Sequence, residues 1–408
     1  MELRVLYSAG ESSGDEHLCN LLQELRNISA DISFRGMAGS KTEQAGFNPD
    51  LRLEKFASVM GFFDVLKKLS LINQALQWFE ETIKNWKPDI IILVDYPDFN
   101  LKLAKIAKQY SVKTFYYIPP KLWAWRSGRI KLIKSCIDKM ALIFPFEKKF
   151  YAELDYNKTV YVGHPFSQEL KRDTSAEQEQ SKRNSFLEIN NLSLSATTLA
   201  VFPGSRKGEI DKHLPTLLET VSLLKQKKAD LQVLLSVADS VTEYLDTYSE
   251  AFKELNIHCL SNQNLNILRF SDVGLIKSGT SNLQAAFYGL PFIMFYKSNY
   301  LTELIVKYVV KIKQYSLVNI LESNSIEECV GLNFNSQKLS SSLLELIENQ
   351  NARKQVVERL QYVCSKLSDY EDLEIFKEAN SPAQRCAILI QNLINKKNSY
   401  LLNNDRQR

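Results

Sequence analysis

The chain reads as an α/β protein of two doubly wound, Rossmann-like domains facing each other across a cleft, with a helical C-terminal segment. Three observations predict this. Apolar runs of strand length alternate with helix-length amphipathic segments along nearly the whole chain. The alternation is interrupted once, by a polar stretch, and then restarts. Small-residue turns follow several strand-like runs, at the place where open α/β sheets bind ligands. With 408 residues there is chain for two or three domains with large cores. A hydrophobic share of 45% and a charged share of 24% exclude a disordered chain. The net charge of +4 is too small to point to nucleic acid. The six cysteines show neither metal nor disulfide spacing, which fits reduced thiols in the cytosol. Glu2 and Arg4 interrupt any signal-like apolar region, and no run of about 18 apolar residues predicts a membrane span.

The elements follow in order. The strand-like run 3–7 feeds Ser8-Ala9-Gly10-Glu11-Ser12-Ser13-Gly14-Asp15. Gly10 and Gly14 let backbone approach a ligand, and Asp15 is placed to cap the helix carrying Leu18, Leu21, Leu22 and Leu25. Runs at 89–95, 113–118, 140–144 and 159–162 predict strands, with helices at 99–109 and 147–154. Lys171-Arg172-Asp173-Thr174 and Glu177-Gln178-Glu179-Gln180 mark 170–196 as a linker or loop. Strands at 198–202, 231–237, 257–260, 273–276 and 292–295 form the second series, and after Ser336 the pattern is helical to the end. The expected domains are residues 1–170, residues 171–350, and a helical tail, 351–408, packing back on the first.

Two turns in the second series suit an anion. Pro203-Gly204-Ser205-Arg206 and Lys277-Ser278-Gly279-Thr280 each end a strand and open a helix. Free backbone N–H groups and the helix dipole favour phosphate there, and Arg206 adds a bidentate donor. The Walker A spacing is absent. Two such turns in one domain suggest a diphosphate.

The ordered set Ala9-Gly10-Glu11-Ser12-Ser13-Gly14-Asp15, Ser58-Val59-Met60-Gly61, Asp95-Tyr96-Pro97-Asp98-Phe99-Asn100, Trp123-Ala124-Trp125-Arg126, Gly163-His164-Pro165, Pro203-Gly204-Ser205-Arg206 and Ser278-Gly279-Thr280 resembles the lipid-A-disaccharide synthases over roughly residues 1–320. These are inverting glycosyltransferases with the B-type two-domain fold. The resemblance implies transfer of 2,3-diacylglucosamine from UDP-2,3-diacylglucosamine to the 6-OH of 2,3-diacylglucosamine 1-phosphate, with release of UDP. It implies no metal and no cofactor. Asp98 matches the family's favoured general base, with Glu11 a second carboxylate that orients the acceptor or shares that role. Gly204, Ser205, Arg206, Ser278, Gly279 and Thr280 match the diphosphate site, Gln284 the ribose position, and Asn319 an Asn near the donor. Ser12, Ser13, Gly14, Trp123 and Trp125 are assigned to the acceptor side, although the tryptophans fit core packing as well.

Three departures stand out. Gln284 replaces a family Glu, 325–330 lacks the family's Pro-Glu pair and Gln, and Gly36-Met37-Ala38-Gly39 thins a glycine-rich turn. Two apolar stretches with lysines among them suit an acylated substrate and anionic head groups: Met60, Phe62, Phe63, Val65, Leu66, Leu69 and Ile72, and Leu301, Leu304, Ile305, Tyr308, Val309 and Ile312. Core packing explains them equally well. The resulting expectation is a cytoplasmic protein touching the inner membrane peripherally. The oligomeric state stays open, a homodimer being compatible with the sequence. Two other readings are a sugar-nucleotide binder or epimerase of the same fold, and a serine hydrolase. The latter uses Ser12 in Gly10-Glu11-Ser12-Ser13-Gly14 with His164, His213 or His258, but its elbow follows the first strand instead of a later one.

Overall fold

The computed structural model describes residues 2–10, 12–53, 64–124, 126–167, 175–297 and 314–405. Glu11, Trp125, 54–63 and 301–313 lie outside the described residues, as do the side chains of Ser12, Val65 and Leu66. The chain divides into two compact units, Met1–Pro165 with Leu367–Arg408, and Phe166–Lys366.

The first unit is built on a seven-stranded parallel sheet: β1 (Leu3–Ala9), β2 (Ile32–Ala38), β3 (Leu51–Arg52), β4 (Ile90–Val94), β5 (Lys113–Tyr117), β6 (Lys139–Leu142) and β7 (Thr159–Tyr161), in the order β3-β2-β1-β4-β5-β6-β7. All five residues of β4 are buried, as a central strand covered on both faces requires. Its helices are α1 (Ser12–Ile28), α2 (Ser40–Gln44), α3 (Asp64–Trp86), α4 (Pro97–Gln109), α5 (Ile130–Cys136) and α6 (Pro145–Glu153). Asp15 does not cap α1, which already begins at Ser12. Its buried carboxylate instead accepts from Gly39 N at 2.8 Å, Lys41 N at 2.9 Å and Thr42 Oγ1 at 2.6 Å, fixing the turn between β2 and α2.

The second unit carries a six-stranded parallel sheet: β8 (Thr198–Phe202), β9 (Gln232–Val237), β10 (Ile257–Ser261), β11 (Val273–Lys277), β12 (Phe292–Tyr296) and β13 (Glu327–Val330), in the order β10-β9-β8-β11-β12-β13. Within the stretch 170–196 read as a linker or loop, residues 176–189 form a helix of this unit, α7 (Ala176–Ile189), and 168–174 lie outside the described residues. Ser175 and Gln178 close a capping box at its start. Phe186 and Leu187 bury its inner face, and Arg183 bonds Asp272 at 3.1 Å. Of the charges that suggested a loop, Glu179 pairs with Arg269 and Glu177 is exposed. Next come α8 (Lys207–Lys227), α9 (Thr242–Leu245), α10 (Ser249–Glu254), α11 (Asn264–Phe270), α12 (Thr280–Phe287), α13 (Leu317–Leu321), α14 (Ser336–Glu348) and α15 (Gln350–Ser368).

The chain rejoins the first unit after Lys366, so α15 counts almost wholly with the second unit. The return is fixed at β7. Glu371 N donates to Tyr161 O at 3.0 Å while its carboxylate accepts from Tyr161 N at 2.7 Å. Buried Arg385 donates to Val162 O at 2.7 Å and Ala379 O at 2.9 Å. The final helix, α16 (Pro382–Asp405), packs on α1 and β5.

Candidate functional site

In the second unit the strand order reverses between β8 and β11, and both strands end in small-residue turns at a helix N-terminus. This is the switch point where doubly wound sheets bind ligands. Gly204, Ser205, Ser278, Gly279 and Thr280 line one pocket of about 150 Å³ there. Gly204 has φ +124°, and a Cβ on it would fall 2.5 Å from Glu209 Oε2. Only glycine fits both conditions. Gly279 is different: its backbone is extended, and a Cβ would meet only Lys277 O at 4.0 Å.

Glu209 and Lys277 also line this pocket, and neither is among the site residues expected from the sequence. Glu209 Oε2 accepts from Ser205 N at 3.0 Å, and Glu209 Oε1 accepts from Lys277 Nζ at 2.8 Å. Burial pushes the Glu209 carboxyl up, but the hydrogen bond and charge of Lys277 and the Ser205 amide outweigh it, so it lies below the ordinary value. The available signal was position: with Arg206 at the N-cap, Glu209 is the third helical residue, where an acid reaches back to free N–H groups. Beneath the turn, buried His213 places Nδ1 3.0 Å from Pro203 O and accepts from Lys297 N at Nε2, 3.2 Å. The amide at Nε2 makes Nδ1 the donor. Burial holds this imidazole below its usual pKa, so it stays neutral.

Arg206 stands exposed at the N-cap of α8, beside the pocket but not lining it. Gln284 is half-buried one turn into α12 and likewise does not line it. Asn319 is buried. Its amide donates to Ile326 O at 3.0 Å and Glu328 Oε1 at 2.9 Å and accepts from Ile326 N at 3.0 Å. Glu328 also accepts from Tyr315 N and Ser316 N, and Ser278 Oγ donates to Tyr315 O at 3.0 Å. Asn319 therefore acts here as a strut for the segment on which Ser278 leans. A larger cavity, about 570 Å³, lies at Ile293, Glu327, Lys338 and Arg359 and contains none of the predicted residues.

The switch point of the first sheet lies between β1 and β4. Beyond β4 the chain takes two consecutive left-handed residues, Asp95 at φ 49° and Tyr96 at φ 46°. Such backbone persists only when its surroundings fix it. Buried Asn100 does so, donating to Asp95 O at 2.7 Å and Val94 O at 3.2 Å and accepting from Ser8 Oγ at 2.7 Å. Tyr116 Oη donates to Asp95 O at 2.8 Å. The Tyr96 ring lies on Gly10, where a Cβ would come within 1.9 Å of it. Gly14, by contrast, has room for a methyl group, its nearest contacts being 3.7 Å away.

This turn sets Asp98 in the first turn of α4, after Pro97, where the helix dipole favours a carboxylate. Its side chain is 65% exposed. Asp98 Oδ1 accepts from Arg126 Nη1 at 3.0 Å and also from Arg129 Nη2. Ser13 lies exposed in the first turn of α1. Trp123 is half-buried, its ring against Phe144 and Phe146, and its indole N–H donates to Glu147 Oε1 at 3.1 Å. Glu147 is buried and also accepts from Phe144 N at 3.2 Å. Burial pushes its carboxyl up to about 7 against these hydrogen bonds. Among the described residues no three His, Cys, Asp or Glu side chains gather as a metal site requires.

The comparisons agree with this architecture. Residues 5–379 match the family model for lipid-A-disaccharide synthetase. The chain is 33% identical over 376 residues to lipid-A-disaccharide synthase 1 of Legionella pneumophila (strain Lens), covering 91% of this chain and 96% of that one. It is 31% identical over 361 residues to the lipid-A-disaccharide synthase of Nitrosococcus oceani, covering 88% and 91%. Among solved structures, the UDP-GlcNAc 2-epimerase from Neisseria meningitidis bound to UDP-GlcNAc superposes with a TM-score of 0.59 at 10% identity, over 97% of this chain and 100% of that one. That likeness concerns the fold alone. On the family match and the identity along nearly its full length, the chain belongs to the lipid-A-disaccharide synthase family, glycosyltransferases of lipid A biosynthesis.

Proposed function

We propose that this synthase binds UDP-2,3-diacylglucosamine at the switch point of its second sheet and transfers the sugar to the 6-OH of 2,3-diacylglucosamine 1-phosphate. The acceptor's base comes from the first unit. The observation that carries the reading is the pocket of Gly204, Ser205, Ser278, Gly279 and Thr280 between two helix N-termini. The diphosphate takes the free N–H groups of these turns, with Lys277 and Arg206 as cations. In the inverting step the acceptor oxygen attacks the donor's anomeric carbon, Asp98 accepts its proton, and the bond to the diphosphate breaks. The charge released on UDP is met by donors that are already oriented. Glu11 assists at the acceptor, with Ser12, Ser13, Gly14, Trp123 and Trp125 around it.

Acylated substrates need an apolar approach. We assign it to the stretches 60–72 and 301–313, at the cytoplasmic face of the inner membrane; Leu69, on the first, is 48% exposed. Among the described residues no helix is long and apolar enough to cross a membrane. The family assignment does not favour the epimerase or hydrolase readings, and His213 has both ring nitrogens engaged by backbone. The test is UDP release by purified protein given both substrates. UDP and disaccharide should appear together. Absence of disaccharide from a folded, UDP-binding protein overturns the reading.

A further inference from the structure

We propose that Glu209 competes with the donor's diphosphate for the anion-binding groups of the second pocket, and so sets how tightly a nucleoside diphosphate is held. This rests on the reading of that pocket as the donor site. Glu209 Oε2 accepts from Ser205 N at 3.0 Å, and Glu209 Oε1 accepts from Lys277 Nζ at 2.8 Å. A turn amide and an ammonium are the two kinds of donor that a phosphate oxygen uses. The Ser205 N–H points along one axis, so a carboxylate and a diphosphate cannot both take it at full strength.

The charges bear this out. Among the described residues, those lining the pocket include one cation, Lys277, and one carboxylate, Glu209. Lys277 is 21% exposed and Glu209 19%, so water and salt screen the pair only weakly. Burial pushes the Glu209 carboxyl up, yet Lys277 and the Ser205 amide hold it below the ordinary value, and it is charged at neutral pH. An incoming diphosphate therefore meets a like charge beside the turn amides. It gains Lys277 only by taking it from Glu209.

Helix capping alone does not account for the contact. An acid at the third helical position ordinarily reaches back to the N-cap amide. Glu209 reaches past the N-cap residue, Arg206, to the amide of Ser205. Gly204 makes the room: a Cβ there would fall 2.5 Å from Glu209 Oε2 and 2.8 Å from Glu209 Cβ. The turn also has other anchors. Pro203 O is bonded by His213, and Ser240 Oγ donates to Ser205 O at 2.6 Å. What Glu209 adds is a negative charge in the wall of an anion pocket.

Two measurements test this. The first is calorimetry of the full-length protein with UDP, inorganic pyrophosphate and uridine. Glu209→Gln keeps the size of the side chain and one acceptor oxygen but removes the charge. It should tighten UDP and pyrophosphate about tenfold, while uridine, which has no phosphate, binds as it does to wild type. In turnover the gain should appear as a lower donor KM with little change in kcat. A residue that only braces the turn gives the reverse, weaker UDP with uridine affected alike, and that result overturns the proposal. The second needs no variant. In a crystal structure of the wild type with UDP, Glu209 should have left both Ser205 N and Lys277 Nζ. Both contacts intact beside a bound diphosphate overturn the competition. If wild type binds UDP and Glu209→Gln binds it no better, the competition falls and the donor site stands. If neither protein binds UDP or pyrophosphate, the donor-site reading falls and the competition with it.

Discussion

The two sheets reverse at equivalent places, and the chain fills those places in opposite ways. Between β1 and β4 the opening is closed by a ring: Tyr96 lies on Gly10, and the polar group, Asp98, is turned outward toward two arginines. Between β8 and β11 the opening is kept clear by small residues, and the polar pair, Glu209 with Lys277, sits inside the pocket wall. The first carboxylate is 65% exposed and the second 19%. The comparison teaches that strand order chooses where ligands meet a doubly wound sheet. Side-chain size and charge then decide whether that place is covered by a ring, with its carboxylate turned outward, or left open and lined by small residues.

The sharpest way to break the comparison is at Asp98. Asp98→Asn should lower turnover roughly 10²–10⁴-fold while calorimetry shows unchanged UDP affinity. Near-normal UDP release from a folded variant removes the base from the first switch point. Next comes a glycine pair in the second. Gly204→Ala meets Glu209 at 2.5 Å with φ +124°, so it should cost about 1–3 kcal/mol of stability and most UDP binding. Gly279→Ala meets no such obstacle and should keep its Tm, yet weaken UDP binding because its methyl group enters the pocket. Unchanged UDP affinity in Gly279→Ala argues against a ligand there.

A third test uses pH. Glu147 has its folded pKa raised to about 7 from 4.5, so its contribution is full below pH 4.5 and lost as pH rises through 7. His17 is lowered by burial to about 4 from 6.5, so its contribution is present above pH 6.5 and lost as pH falls toward 4. The slopes oppose each other over one window. Glu147→Gln should therefore lose Tm more steeply than wild type between pH 6.5 and 4.5, while its amide, with one acceptor oxygen for two N–H donors, gives no gain at pH 8. Parallel melting curves across that range contradict the assignment. The smallest effect is at Gln284. If it reaches the ribose, Gln284→Glu near the start of α12 should tighten UDP about fivefold, roughly 1 kcal/mol, in donor KM more than in kcat. No change by calorimetry detaches Gln284 from the donor.

Much of this was legible in the residues. Apolar runs located the strands because parallel strands covered on both faces must be apolar throughout. The turns at Gly204 and Gly279 were visible as small residues between strand and helix. What was hidden depended on reach. Glu209 was readable as a helix residue, but its bonds to Ser205 N and Lys277 require knowing that β8 and β11 are neighbours. Asn100 stood in the Asp95–Asn100 motif without a role of its own, and its hold on Asp95 follows from the left-handed turn, which a Tyr before Pro does not announce. The helix at 176–189 was misread because charge density outweighed its Ser175–Gln178 box. The resumption of the first unit at Leu367 turns on long-range bonds such as Arg385 to Val162.

Those long-range bonds also act as insulation. β7 is the last strand of its sheet, and the outer rim of such a sheet is a template on which stray chains polymerise. Here Glu371 occupies both the N–H and the C=O of Tyr161, and the Arg385 guanidinium holds Val162 O just beyond. The C-terminal return is therefore a solubility device as well as a buttress. A chain trimmed after Lys366 would keep every residue of both switch points yet bare this rim, and it should precipitate at concentrations that the full-length protein tolerates.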